Sequence, residues 1–576
     1  MTLPVLAAVV LVVLVVGYRL YGRLVTRQFG LDRRETPAVR MNDGRDFIPT
    51  RPFYLLSQHF AAIAAAGPIA GPILACQSFG WLPCILWIVF GVIFIGGVHD
   101  LSALVASVRH DARSVAEIVK ENIGRRAWVA IMLFILIALM YVIVAFVDIT
   151  ANTFLGRIEE LNGVPIDFNR GGAVAGASIF YLILAIVMGL VQRRFNPPLG
   201  LVTLVFVPAT LGVVWLGTRL DTLMVLPELS YLSAGKVWGL IILAYCAVAS
   251  LLPMWLLLQP RGYLGGFVLY LALAAGVIGI FFGGFPIQQE SFKTWNAPGV
   301  TGSLFPFLFV TIACGACSGF HGLVCSGTTS RQIASEAHCQ PVGYGAMLLE
   351  AFVALIALST VMIVGQATIQ AGRLAPGTIY GNGIGDYLCV VIGKQHRLLA
   401  ITFGAMAFST FVFDTLDVAT RLGRYIIQEL FGWARSAGAF AATGLMVAIP
   451  AWILVSAEPG AYLKFWILFG TSNQLLAALT LLGVTVWLHR NRKPIWFTLP
   501  PMTFVMAITL WSLYKQMLGP IDSIREHGLR PDTTLMNGLV SLALALLAIL
   551  LLVESALAAR RGGPAELDPR GTGRNA

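Results

Sequence analysis

Apolar runs of about 18 residues or more recur along the whole chain, separated by short polar segments. A run of that length crosses a hydrocarbon core about 30 Å thick at about 1.5 Å per residue. The pattern predicts an all-α polytopic membrane protein with about fifteen transmembrane helices. They fall near residues 3–20, 52–76, 81–107, 127–151, 172–192, 198–217, 237–258, 262–283, 302–328, 342–367, 398–420, 437–456, 465–488, 496–514 and 535–557. Their close spacing predicts a single transmembrane domain, 1–557, followed by a short disordered tail, 558–576. The first run opens without a basic segment, and its arginines follow it, which makes it a span rather than a cleaved leader. Residues 370–396, which include GTIYGNGIGDYLCVVIG, read as a loop or as a short re-entrant or amphipathic helix, because a further span there would reverse everything after it.

Composition sharpens this picture. The 576 residues are 57% hydrophobic and 12% charged, with a mean hydropathy of +0.81, which excludes an ordinary globular domain. The net charge of +11 lies in short segments between spans, without a continuous basic patch interleaved with aromatics, so it argues for orientation in a bilayer and against nucleic acid. If the 19–51 segment is cytoplasmic, so are 109–126, HRNRKP at 489–494 and the tail after Arg560. Most of the 39 Lys and Arg then lie inside, with the N-terminus periplasmic and the C-terminus cytoplasmic. The eight cysteines lie mostly in apolar stretches and read as small buried hydrophobes.

Two spans are interrupted. HFAAIAAAGPIAGPILAC, 59–76, carries Gly67-Pro68 and Gly71-Pro72, and each proline removes a backbone donor. A kink that helps packing is one reading. The other is an unwound segment at mid-membrane, where free backbone groups are tolerated only against protein or a water-filled cavity. FLFVTIACGACSGFHGLVCSGTTSRQIASEAHC, 307–339, is a second apolar run broken by small residues. The two breaks lie in spans 2 and 9. An odd offset means that they cross the membrane in opposite directions, as inverted-topology repeats require. In such folds half-helix ends converge on a midplane site, with N-terminal ends toward anions and exposed carbonyls toward cations.

DGRDFIPT at 43–50, HFAAIAAAGPIAGP at 59–72, SGFHGLVCSGTTSRQIASE at 318–336, GYGAMLLEAFVA at 343–354, LDVATRLGRYIIQELFG at 416–432 and GTSNQLLAAL at 470–479 resemble the carbon starvation protein A family. The matching blocks run in order from residue 43 to about residue 490. The resemblance implies an inner-membrane secondary transporter, induced under carbon starvation, that takes up pyruvate or small peptides with protons. It also implies the amino acid-polyamine-organocation superfamily and a LeuT-like core of five-plus-five inverted repeats with extra helices. Cys314 and Cys317 stand where the family is expected to carry small or apolar residues, and the chain is shorter at its C-terminus than the longer relatives.

A charge at the bilayer centre costs about 2.5–3.5 kcal/mol on insertion scales, so each acid or histidine inside a span is a functional candidate. His99 and Asp100 are in span 3, Asp148 is near the end of span 4, His59 and His321 are in the broken spans, Glu350 is in span 10, and Asp414 and Asp417 are in span 11. Asp417 lies four residues before Arg421 and near Arg424, a spacing that fits a salt-bridged helix end. Asp414 has no such base. His99-Asp100 fits either a proton relay or structural hydrogen bonding, since sequence neighbours on a helix point about 100° apart. Glu350 has no base in its own span and needs a partner on another helix or a proton.

Cys314, Cys317, His321 and Cys325 hold metal-ligand chemistry, but four ligands along one helix rise over about 16 Å, too far to share one ion. No metal and no cofactor is expected. In TSNQLLA, 471–477, Thr471, Ser472, Asn473 and Gln474 stand together in an apolar span, either pinning helices or lining the path.

The candidate substrate contacts are therefore His59, Gly67, Pro68, Gly71, Gly319, His321, Ser326, Thr328, Thr329, Asn473 and Gln474. The proton-coupling candidates are His99, Asp100, Glu350, Asp414 and Asp417, with H⁺ as coupling ion and Na⁺ as the alternative. A carboxylate substrate needs positive potential, which helix N-termini and protonated histidine would supply. The expected contacts are pyruvate or a di- or tripeptide, and membrane lipid. The rival classes are a channel and an intramembrane metal-dependent enzyme, and the chain carries no HExxH or GxSxG signature for the latter.

Overall fold

The computed structural model describes residues 2–560 apart from 33, 45, 162–163, 228–231, 298–301, 371–373, 434, 459–460 and 528–531. Within them the chain is a bundle of long helices with one small hairpin, Ile158–Leu161 against Val164–Phe168, which joins two of them outside the apolar runs. Residues 561–576, most of the expected tail, lie outside the described set.

Among the described residues, twelve helices are long and apolar enough to cross a membrane, and thirteen spans result if the bent pair Pro52–Ile63 and Gly67–Phe79 is one. The two other expected spans, 302–328 and 496–514, correspond to an interrupted segment and to the helix Leu499–His527. The expected loop or re-entrant segment at 370–396 contains a helix, Pro376–Ile392. At 17 residues it is about 25 Å long. It runs antiparallel to the first turns of a 35-residue helix, Arg397–Phe431, with Gly381 against Ala405 and Gly385 against Ile401.

Both breaks are present. Pro52–Ile63 ends at Ala64, whose ψ of 49° leaves the helical region, and Gly67–Phe79 departs at 46° with Pro68 in its first turn. In the second, Leu304–Thr311 ends at Ile312, where ψ is 64°. Residues 313–317 turn on a Cys317 N–H to Ala313 O bond of 2.8 Å, and Gly319–Val324 resumes the helix.

The two breaks cross each other. Gly67 faces Cys314, and a Cβ on Gly71 would stand 2.6 Å from the Thr311 carbonyl oxygen. Only glycine allows backbones to approach so closely. The two Gly-Pro pairs therefore have a division of labour: the prolines break or bend the helix, and the glycines let the break touch its counterpart.

Candidate functional site

The crossing leaves backbone groups that water would satisfy on a surface and that protein must satisfy here. The Trp87 indole donates to Phe309 O at 3.2 Å and to Ile312 O at 3.0 Å, Gln474 donates to Phe309 O at 2.9 Å, and the Trp466 indole donates to Thr311 O at 3.0 Å. On the other side of the break, Asn473 Oδ1 accepts from Phe320 N–H at 3.0 Å, while its amide donates to Ser318 Oγ at 3.0 Å. Of the two readings of the TSNQ cluster, these contacts fit the pin: Asn473 and Gln474 hold the second break from the helix Tyr462–Arg490. Gly319 lies flat against that helix at Asn473 O and Ala477 N.

This arrangement can be tested directly. Trp466→Phe keeps an aromatic side chain but leaves a small void and the buried Thr311 carbonyl without its indole donor, the lost donor alone costing about 1–3 kcal/mol. A thermal unfolding midpoint in detergent that equals the wild type would show that the carbonyl finds another donor.

Beside the crossing lies a chain of four buried ionisable side chains from three parts of the sequence. His99 Nδ1 meets Asp100 Oδ1 at 2.7 Å, so these sequence neighbours do touch. Asp100 Oδ2 meets His321 Nδ1 at 3.0 Å, and His321 Nε2 lies 3.2 Å from Glu350 Oε2. All four are at most 1% exposed. The Glu350 contact is close but off the ideal hydrogen-bond direction, and both its oxygens otherwise lack partners. Glu350 has the partner on another helix that its own span could not supply.

The proton count of this chain is constrained by its geometry. A neutral imidazole donates from one nitrogen only. An imidazole set between two carboxyl groups therefore holds a second proton on its ring or receives one from an acid. Either way the Asp100–His321–Glu350 unit sets one imidazole within reach of two carboxyl groups. A π-helical turn adjoins each contributing segment: Val92–Gly96 before His99, Cys325–Thr329 after His321, and Gln340–Gly345 before Glu350. Such turns are rare and concentrate at functional positions.

The remaining candidates divide. His59 bonds Thr329 through Nδ1 and Oγ1 at 2.9 Å, and its Nε2 lies 3.9 Å from the Cys325 thiol, which reaches the Asp100 carbonyl at 3.6 Å. This pair therefore adjoins the four-residue chain through Cys325. Ser326 donates to Gly322 O at 2.7 Å and accepts from Val115 N–H, and Thr328 donates to Val324 O at 3.1 Å, so both hydroxyls are turned onto the protein. Among the described residues no group of three or more His, Cys, Asp or Glu is arranged to hold a metal ion.

Asp414 and Asp417 form a separate cluster around a residue that the sequence reading passed over. Arg261, 1% exposed, meets Asp414 Oδ1 at 2.6 Å and Asp417 Oδ2 at 2.7 Å. The Tyr245 hydroxyl donates to Asp417 at 2.8 Å, and the Tyr181 hydroxyl donates to the Arg261 carbonyl at 2.8 Å. The expected Asp417–Arg421 pair is not made. Arg421 turns away and donates to the carbonyls of Ala249 and Leu252, which end the helix Ala234–Leu251. Asp414, expected to lack a base, has one from another helix. The signal for Arg261 is a basic residue in LLLQPRGYL, one position outside an expected span, with two acids of span 11 in need of a counter-charge.

Comparison with known proteins places the chain in a family. The model of the family described as carbon starvation protein CstA matches residues 2–379 and 363–512. A peptide transporter CstA of Helicobacter pylori strain J99 is 33% identical, with 89% of this chain and 82% of that relative covered. The pyruvate/proton symporter BtsT of Escherichia coli is 30% identical over 87% of this chain and 80% of its own. Among solved structures, a manganese transporter of Eremococcus coleocola covers 90% of this chain and 99% of its own at 12% identity and a TM-score of 0.45, a distant likeness that says nothing of the site. Matched by the family model over most of its length, the chain belongs to the carbon starvation protein CstA family.

Proposed function

We propose that this protein is a secondary transporter that takes up small peptides or pyruvate across a bacterial inner membrane, with protons as the coupling ion. The observation that carries this reading is the buried chain His99–Asp100–His321–Glu350, set against the crossing of two broken helices. It accounts for three costly features together: charges deep in an apolar bundle, helices interrupted at mid-span, and an imidazole held between two acids. The names of the relatives, peptide transporter and pyruvate/proton symporter, fit the same reading. The segment 19–51 lies in the cytoplasm, with the N-terminus periplasmic and the C-terminus cytoplasmic.

In this mechanism a proton enters on Glu350 or Asp100, is shared through His321, and leaves as one inverted repeat rocks against the other. Substrate is met at the breaks. His59 with Thr329, and the backbone around Gly67, Pro68, Gly71 and Gly319, are its contacts. Asn473 and Gln474 shape the site by fixing the second break. Ser326 and Thr328 contribute after their helix turn loosens, since their hydroxyls are otherwise engaged.

The test is uptake of radiolabelled pyruvate into proteoliposomes under an imposed proton gradient, with and without sodium, in competition with alanyl dipeptides. Concentrative uptake of either substrate that a protonophore abolishes supports the reading, and competition tells pyruvate from peptide. Uptake that follows sodium alone overturns the coupling ion, and no uptake of either overturns the function.

A further inference from the structure

The segment that follows the first span is pinned at a point the transport reading leaves unused. Glu336, just beyond the second broken span, is fully buried and bound on both oxygens by Arg109: Nε to Oε1 at 3.1 Å and Nη2 to Oε2 at 2.9 Å. The same guanidinium donates to Phe29 O at 3.0 Å and Gly30 O at 3.2 Å, the end of the first span's helix. Asp32 N–H donates to Glu336 at 3.3 Å, and Arg34 lies 3.6 Å from it. Arg34 also holds the Asp32 carboxyl well below the usual carboxylate range through the hydrogen bonds it donates to it.

The other end of the strap is tied as well. Ile48 N–H donates to Arg331 O at 3.2 Å and Thr50 N–H donates to Gln332 O at 3.0 Å, while the Arg331 guanidinium covers the Phe47 ring. Thr50 stands two residues before the first broken helix, and Gln332 stands three residues after Thr329, the partner of His59. The strap therefore joins the two broken helices to each other at one end of the bundle. They cannot separate there while it is in place.

We propose that the strap, the described residues of 30–51 (30–32, 34–44 and 46–51), with the Arg109–Glu336 pair, is a latch that closes the substrate path on the cytoplasmic side and must open in each transport cycle. This rests on the transport reading above. The chemistry suits a reversible tie. A buried ion pair adds little net stability over apolar packing, yet once parted both charges are rehydrated, so it opens at modest cost. Switching elements of this kind are two packed states separated by a few contacts.

The test is the double substitution Thr50→Cys and Gln332→Cys in the full-length protein in proteoliposomes. All eight native cysteines are buried, so oxidation acts on the introduced pair. Oxidation to the disulfide is expected to lower uptake about tenfold or more, with recovery on reduction, because a step that gates access limits the cycle. Full uptake with the disulfide formed overturns the latch. A second measurement does not need transport: in Glu336→Gln, a single cysteine at position 50 is expected to react about tenfold faster with a membrane-impermeant maleimide, as a loosened segment does. Unchanged labelling overturns the latch even if uptake is normal. Absence of uptake by the wild type counts against the transport reading alone.

Discussion

Glu350→Gln is expected to abolish uptake driven by a proton gradient while sparing exchange of substrate across the membrane. Glutamine fills the same volume, so the packing around position 350 survives. His321 keeps its bond to Asp100, which stabilises the ring on its other side. What disappears is one of the two acceptors between which the buried proton moves. Losing a positioned proton donor or acceptor typically costs 10²–10⁴-fold in a step that needs it, so gradient-driven uptake should fall by about a hundredfold. Exchange at equal pH on both sides moves no net protons and should stay near the wild-type rate. Gradient-driven uptake that persists in the variant would remove Glu350 from the proton path.

Arg261→Met should destabilise the fold more than any other single change considered for this protein. The guanidinium neutralises Asp417, which has no exposed surface, and Asp414, which keeps 28% of its side chain accessible. Removing one partner of a buried ion pair costs about 3–5 kcal/mol, because the other charge stays behind without compensation. The loss should appear as a large fall in the thermal midpoint or as failure to accumulate in the membrane. A second change, Asp417→Asn, removes the stranded charge and should recover a substantial part of the loss. Arg261→Lys should fall between them, since a single ammonium cannot fork to two carboxylates as a guanidinium does. A double variant no more stable than Arg261→Met would show that Arg261 acts through packing.

How much of this was legible in the sequence depended on whether the signal was local. The breaks were legible because Gly67-Pro68 and Gly71-Pro72 disrupt a helix through their own covalent geometry. His99, Asp100, His321 and Glu350 stood out one by one, since a charge in an apolar run is conspicuous. Their pairing did not, because Asp100 and His321 are 221 residues apart and meet only when the bundle closes. Asp417 illustrates the converse: the nearby Arg421 looked like its partner, but Arg421 had helix-end carbonyls to satisfy, and the distant Arg261 was the better buried counter-charge. Asn473 and Gln474 remained ambiguous because only the fold reveals which orphaned backbone groups lie opposite. The segment 370–396 stayed open between a loop and a short re-entrant or amphipathic helix because the charge bias spoke only against a further span; the helix Pro376–Ile392 lies against Arg397–Phe431 through Gly381 and Gly385, a contact only the fold reveals.

That 35-residue helix has a mechanical consequence. It is about 52 Å long, contains no proline, and is helical throughout. One end is joined along its flank to Pro376–Ile392, and further along it carries Asp414 and Asp417. A rod without a joint transmits displacement from end to end. A push on the short helix would arrive at the Arg261 cluster as a translation of both carboxylates together, along one stiff element.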